Sequence, residues 1–241
     1  MHVNLQPAYL LHARAYRDSS QLLEVFSAEH GRLGLVAKGV HRRARGGSLS
    51  ATLQPFRPLL LSFAGRGDLM KLLAVEAAGA GVVLRGERLF SGLYLNELLM
   101  RLLHRHDPLP TLFAHYGETL AALAGEGPAE GVLRGFELRL LDELGYAFDP
   151  ARDVHAGQVR EQAWYRYSEG QGLVACEGDA GIPDGRFRGE DLLAIAAGDF
   201  SGSAAAAAKH LLRRVIAEHL DGKPLHTREL FRQYRQGGSG A

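Results

Sequence analysis

The chain has 241 residues, 46% of them hydrophobic, with one cysteine and a formal net charge of +1. This length allows a substantial core in one large domain or about two to three small ones, whereas the single cysteine, Cys176, excludes an internal disulfide and an all-cysteine metal site. Because no apolar run approaches the roughly 18 to 20 uncharged residues of a membrane span, and residues 1–10 lack a signal-peptide pattern, we expect a cytoplasmic protein with no membrane partner.

The positive charge is concentrated at the two ends of the chain. Residues 1–71 hold ten Lys and Arg against four Asp and Glu, and residues 209–241 hold seven against three. The stretch between them holds eleven against twenty. Two basic ends around an acidic middle favour contact with a polyanion at the ends, and ordinary variation of surface charge is the alternative.

Alternation of apolar and polar residues predicts short strands in the first part of the chain. The expected strands are residues 8–14, 21–27, 32–40, 59–63 and 69–75. In the third of these, Arg32 and Lys38 share the outward face. Five short strands with a long basic connection predict a Greek-key barrel of the oligonucleotide-binding (OB) type over residues 1–80, although an SH3-like barrel or a small sandwich would give nearly the same pattern.

After Gly86 the apolar period becomes that of helices. A first helix is expected to end at Asp107-Pro108, and further helices are expected at about 111–124, 129–144, 190–197, 204–220 and 227–234. The first three of them predict a three-helix core.

The region between the third and fourth helices is rich in glycine and predicts a loop-rich insertion, residues 149–184, with a hairpin of 164–167 against 172–176. Residues 81–148 and 185–236 are assigned to a helical domain, and 237–241 are expected to be a disordered tail. The predicted fold class is therefore α+β.

The stretch 38–48 is the first candidate binding segment. It begins at Lys38 and includes Arg42, Arg43 and Arg45 among several glycines. A flexible basic loop on a barrel suits the backbone of a nucleic acid, because neutralised phosphates release their counterions. Arg32 and Arg66 would extend this surface. The alternative is a solvated run of charge.

Stacking on bases is expected to contribute little to this surface. The aromatic residues of the barrel region fall mostly at positions expected to face inward: Tyr9, Tyr16, Phe26, Phe56 and Phe63. Binding would then depend on phosphate contacts, with little sequence preference and a strong dependence on salt.

Two further candidate segments lie in the helical part. On the third helix, Arg134, Leu138 and Leu141 fall at i, i+4 and i+7, beside the stripe expected to form the core. A cation next to exposed leucines can hold a peptide that ends in an apolar side chain and a carboxylate, and burial of both leucines against another helix is the alternative. The C-terminal segment adds cations that suit phosphate contacts: Lys223, Arg228, Arg232 and Arg235.

No motif for covalent chemistry is present in the sequence. It has no phosphate-binding G-x-x-x-x-G-K-[ST], no nucleophile elbow G-x-S-x-G and no H-E-x-x-H. The adjacent pair Asp142-Glu143 points apart on a helix, so joint acid and base work is not expected. We expect no enzyme activity and no cofactor. The expected class is a nucleic-acid-binding protein, and a protein adaptor that contacts nucleic acid only weakly is the alternative class.

Many segments together resemble the RecO family of bacterial recombination mediators over nearly the whole chain. They are residues 8–12, 30–32, 36–39, 53–56, 58–61, 65–67, 92–99, 136–141, 144–146, 222–225 and 228–233. The resemblance implies an OB-fold barrel followed by a helical domain, and a nucleoid-associated role in recombinational DNA repair. It implies binding of single- and double-stranded DNA, annealing of complementary strands, and work with RecR to load RecA onto DNA coated by single-strand-binding protein.

The resemblance also implies roles for particular residues. Basic barrel residues would contact DNA: Arg32, Lys38, Arg42, Arg43, Arg45 and Arg66. The acidic tail of single-strand-binding protein would dock on the helical domain at Arg134, with Leu138 and Leu141.

The insertion departs from the pattern of many members of this family. They hold zinc through four cysteines after the segment that matches Gly145-Tyr146, whereas residues 149–183 hold only Cys176. A tetrahedral structural site needs four ligands, so we expect no zinc. We expect local hydrogen bonds and the packing of Trp164, Tyr165 and Tyr167 to stabilise the insertion instead.

Overall fold

The computed structural model describes residues 1–17, 19–40, 43–44, 47–146, 148–177, 185–220 and 222–238, without the side chains of 43, 44, 47, 48, 237 and 238. The chain divides into two compact units. The first consists of Met1–Gly127 with Leu225–Ala241, and the second of Pro128–Pro224. None of the helices in the described part of the chain combines the length and the hydropathy that a bilayer crossing requires.

A closed five-stranded barrel forms the first part of the first unit. Its strands are β1 (His2–Tyr16), β2 (Ser20–Ser27), β3 (Gly31–Lys38), β6 (Pro58–Ala64) and β7 (Leu69–Ala77), in the order β1-β2-β3-β7-β6 with β6 returning to β1. All neighbours are antiparallel except β3 and β7. This order is that of the OB fold, so the predicted barrel is confirmed.

Short elements connect β3 to β6. They are β4 (Arg43–Ala44), β5 (Gly47–Ser48) and the helix α1 (Leu49–Thr52). The predicted basic loop lies in this connection, and its backbone forms an antiparallel pairing of β4 with β5.

The barrel encloses the alternate apolar residues that the period-two pattern predicts. On β3 these are Leu33, Leu35 and Ala37, each no more than 1% exposed, and Leu23 and Val25 of β2 are fully buried beside them. The alternate positions of the same strands therefore point away from the barrel core.

Two aromatic residues expected inside the barrel lie on its outer face instead. The ring of Tyr9 lies 5.3 Å from that of Phe113 and 5.0 Å from that of Tyr116, and the Phe26 ring lies 5.5 Å from that of Phe113. Phe113 and Tyr116 belong to a helix that covers this face. The prediction for Tyr9 and Phe26 was wrong because strand periodicity does not indicate which outward positions another element covers.

Three helices complete the first unit: α2 (Glu87–Leu102), α3 (Pro110–Ala124) and α7 (His226–Gly238). The buried Asn96 of α2 connects α2 and α3 to the barrel, because its amide donates to the carbonyl of Leu11 at 2.9 Å and its oxygen accepts from the Tyr116 hydroxyl at 2.5 Å. Burial raises the pKa of Tyr116, so this hydroxyl stays a donor. Residues 239–241 of the predicted tail lie outside the described residues.

The second unit combines three helices with a small sheet. The helices are α4 (Ala129–Glu143), α5 (Gly189–Ala196) and α6 (Gly202–Glu218). The sheet has the order β10-β8-β9, with β8 (Trp164–Ser168), β9 (Gly172–Cys176) and β10 (Arg186–Arg188). The predicted hairpin is therefore present, and β10 adds a strand that the sequence did not predict. The predicted core of the first three helices was wrong, because the third of them, α4, packs with α6 in the second unit.

Candidate nucleic-acid interface

Exposed cations lie on the outer face of the barrel, across β1, β2, β3 and β7. Arg14 is the register partner of Leu22, Leu22 that of Val36, and Val36 that of Lys71. Register partners point to the same side of a sheet, so Arg14 and Lys71 share one face. Both side chains are exposed. Two cations thus lie at the ends of one row across four strands.

Three more exposed cations lie around this face. Lys38 ends β3 opposite Ser20, and Arg17 follows β1 in the adjacent turn. Arg66 lies in the turn between β6 and β7, which is beside the other end of β3 because β7 runs parallel to it. OB folds bind oligonucleotides on the face of strands two and three and on the loops that flank it. We name Arg14, Arg17, Lys38, Arg66 and Lys71 the barrel cation face.

Arg32 points outward, as expected, but its guanidinium is engaged within the protein. It donates to the carbonyl of Met100, and its Nε lies 3.8 Å from the carboxylate of Glu24, which also pairs with Arg105 at 2.5 Å. The backbone amide of His106 donates to the Arg32 carbonyl at 3.1 Å. Burial lowers the pKa of the Arg32 guanidinium from its usual value. This arginine attaches the segment after α2 to the barrel.

The other predicted barrel residues are described to different extents. Arg42 and Arg45 lie outside the described residues, and only the backbone of Arg43 is described. Their contribution to DNA binding stays a prediction.

The C-terminal cations differ in their availability. Lys223 is exposed. The guanidinium of Arg228 lies over the ring of Tyr94, 5.6 Å from its centroid, and Arg232 pairs with Glu229 at 2.6 Å. Arg232 is 65% exposed despite that pairing, so it remains open to a further anion.

Two family models match the chain one after the other. The model described as "Recombination protein O N terminal" matches residues 1–80, and "Recombination protein O C terminal" matches residues 84–229. The chain belongs to the RecO family.

Curated relatives named "DNA repair protein RecO" match over nearly their whole length. The protein of Pseudomonas putida (strain GB-1) is 47% identical over 95% of this chain and 97% of its own. That of Methylococcus capsulatus is 47% identical over 95% and 93%, and that of Nitrosococcus oceani is 46% identical over 99% and 97%. Membership of the RecO family supports a role in DNA repair and recombination.

The predicted peptide-docking residues of this RecO-family chain lie on α4. Arg134 is 7% exposed and its guanidinium lies 2.7 Å from the buried carboxylate of Glu137. Leu141 is buried and Leu138 is half-buried. Leu141 is therefore buried, as the alternative interpretation predicted, whereas part of the Leu138 side chain stays accessible to solvent. The role of these residues in binding a peptide stays a prediction.

The insertion is stabilised by hydrogen bonds and packing. Tyr165 is buried and its hydroxyl accepts from the backbone amide of Arg160 at 2.9 Å, while the Tyr167 hydroxyl donates to Glu218 at 2.5 Å. Burial raises the pKa of Tyr167. Trp164 is partly buried. Within the described residues no three His, Cys, Asp or Glu side chains come together as metal ligands would, and the expectation of no zinc stays a prediction.

Proposed function

We propose that this RecO-family chain binds single- and double-stranded DNA on the barrel cation face and anneals complementary strands there. The observation that supports this proposal best is the row from Arg14 to Lys71, with Lys38 beside it, on the face that OB folds use for oligonucleotides. These side chains are exposed, and none of them has an acidic partner among the ion pairs of the described residues.

The proposed mechanism is electrostatic. Two strands repel each other through their phosphates, and a cationic surface that holds both lowers this repulsion. A short stretch of paired bases then survives long enough to extend. No covalent step and no cofactor is needed, so we propose that the chain is not an enzyme.

Partner proteins would bring this activity to coated DNA. We propose that α4 receives the acidic tail of single-strand-binding protein through Leu138 and Arg134, and that the chain works with RecR to load RecA. A contact with the coat raises the local concentration of the annealing surface at the strands. This work would take place in the cytoplasm, at the nucleoid.

The test is annealing of complementary oligonucleotides across a salt series. The variant Arg14→Gln/Lys38→Gln/Lys71→Gln should anneal naked strands more slowly at every salt concentration, because it lacks three phosphate contacts. The matched control neutralises three exposed arginines elsewhere, Arg85, Arg139 and Arg152, and should anneal like the wild type. Equal rates for both triple variants would contradict the proposed DNA surface.

The same assay on strands coated with single-strand-binding protein tests the α4 contact. Leu138→Gln should slow annealing of coated strands and leave naked strands unaffected, since the half-buried Leu138 lies outside the barrel. Equal loss on both substrates would mean that the variant harms the protein itself and not a partner contact.

A further inference from the structure

The small sheet of the second unit has two faces of different character. Tyr165 on β8, Leu173 on β9 and Phe187 on β10 are each no more than 1% exposed. Since side chains alternate along a strand, the neighbouring residues of each strand point the other way. That outer face carries Trp164, Arg166, Val174, Cys176, Arg186 and Arg188.

Two arginines oppose each other across the strands on this outer face. Arg166 is the register partner of Arg186. Like charges directly opposite each other destabilise a sheet, and partners at this position lie only about 4.5–5.5 Å apart at Cβ. Arg186 donates to the backbone carbonyl of Glu177 at 3.2 Å, and Arg166 has no acidic partner within the described part of the chain. The pair therefore leaves a concentrated positive charge that an anion would neutralise.

An aromatic ring and a third arginine lie next to this pair. Trp164 is the register partner of Arg188, whose guanidinium carbon lies 5.7 Å from the indole centroid. Arg188 also pairs with Glu190 at 2.8 Å, but both side chains are about half exposed, so this ion pair contributes little stability. The indole is partly buried, and its accessible part presents a flat stacking surface beside guanidinium groups.

We propose that the outer face of the β10-β8-β9 sheet is a second contact site for single-stranded nucleic acid, separate from the barrel. Arg166 and Arg186 would hold phosphates, and Trp164 would stack on a base. Combined phosphate contacts and aromatic stacking are how sequence-tolerant single-strand sites bind. The site rests on the proposed DNA binding of the chain and extends it to the insertion, for which only structural contacts were expected.

The ring distinguishes nucleic acid from an acidic peptide as the ligand. A carboxylate peptide would use the guanidinium groups and would leave the indole without a planar partner. A nucleotide uses both, because each phosphate brings a base with a π face.

Trp164 is the only tryptophan of the chain, so its fluorescence reports on this face alone. Titration of the full chain with oligo(dT) at low salt should quench the emission as a base stacks on the indole. Anisotropy of the same oligonucleotide, labelled with a dye, measures total binding in parallel. An oligo(U) titration compares RNA with DNA, and a poly-glutamate titration represents an acidic peptide.

The variant Arg166→Gln/Arg186→Gln should shift the quenching midpoint to at least about threefold higher oligonucleotide concentration, because two phosphate contacts are lost. The barrel variant Arg14→Gln/Lys38→Gln/Lys71→Gln should show the opposite pattern, with weaker total binding and retained quenching.

Arg152→Gln is the matched control for the Arg166/Arg186 variant. It neutralises an exposed arginine of the insertion that is not on the small sheet, and it should leave the quenching midpoint unchanged.

The outcomes separate this site from the proposed function. Total binding without quenching of Trp164 would overturn the second site and leave the barrel interface intact. Absence of any binding by anisotropy would overturn the proposed function itself. Quenching by poly-glutamate and not by either oligonucleotide would show that the face belongs to an acidic protein partner, which also overturns the proposal.

Discussion

The carboxylate of Glu97 caps the N-terminus of α7. It is 5% exposed and accepts from the backbone amides of His226 and Thr227 at 2.8 and 2.9 Å and from the Thr227 hydroxyl at 2.7 Å. Burial alone would raise its pKa, but these hydrogen bonds and Arg101 at 3.7 Å bring the pKa below its ordinary 4.5. The folded state therefore favours the ionised form more than the unfolded chain does.

Glu97 should make the free energy of unfolding depend on pH in the acidic range. Because its folded pKa is lowered, the contribution is fully present above the ordinary pKa of 4.5 and is lost as the pH falls through the folded value. Glu97→Gln should cost about 1–3 kcal/mol in urea unfolding at pH 7 and should lose less stability than the wild type on acidification. Glu229→Gln, on the exposed side of α7, is the control. Identical acid profiles for wild type and Glu97→Gln would contradict this role.

Two glycines with positive φ allow the cost of backbone strain to be measured apart from the cost of a close contact. Gly31 has φ +63° and a Cβ there would collide with the backbone of Asp107, whereas Gly67 has φ +76° and open space around it. Gly67→Ala should cost roughly 1–2 kcal/mol from strain alone. Gly31→Ala should lower the free energy of unfolding clearly more, because the backbone of Asp107 must also move. Equal unfolding midpoints for the two variants would show that the close contact between Gly31 and Asp107 adds no further destabilisation.

The helix α4 contains a buried ion pair between residues one turn apart. Removing one partner of such a pair typically costs about 3–5 kcal/mol, whereas replacing both by apolar residues is often neutral. Arg134→Ala should therefore unfold at lower urea concentration, because the Glu137 carboxylate stays buried. Arg134→Leu/Glu137→Leu should unfold within about 1 kcal/mol of the wild type.

The double variant also makes the peptide site testable. Loss of tail binding by Arg134→Ala alone would have two explanations, whereas loss by the stable double variant assigns the contact to the guanidinium. A double variant as unstable as the single one would show that the cost of Arg134→Ala does not come from the buried Glu137 carboxylate.

The sequence predicted the elements better than their contacts. Periods of two and of three to four residues identified the barrel strands and every helix of eight residues or more in the described part of the chain, because these periods follow from the element's own geometry. The contacts of the outward-facing barrel residues were harder to predict. Tyr9, Phe26 and Arg32 all lie on outer faces that α3 or the end of α2 covers, and such coverage depends on residues distant in sequence.

In the whole molecule, the N-terminal basic end and residues 225–241 of the C-terminal one belong to the first unit, whereas residues 209–224 belong to the second. Polyanion contact at these ends stays a prediction, and the charge pattern did not identify which cations share a face. Arg14 and Lys71 lie 57 residues apart in the sequence and meet on one row only through the register of four strands. The signal that could have found them is their alternation with apolar residues in two strands that the sequence did predict.

DNA binding on the barrel cation face is tested by the salt dependence of single-stranded DNA binding, measured for wild type and for Arg14→Gln/Lys38→Gln/Lys71→Gln. Each lost phosphate contact reduces the slope of log affinity against log salt by about 0.7 for a single strand. We predict a slope for the variant that is shallower by about 2, with weaker binding at low salt. An unchanged slope and affinity would contradict it, because DNA would then bind elsewhere on the chain.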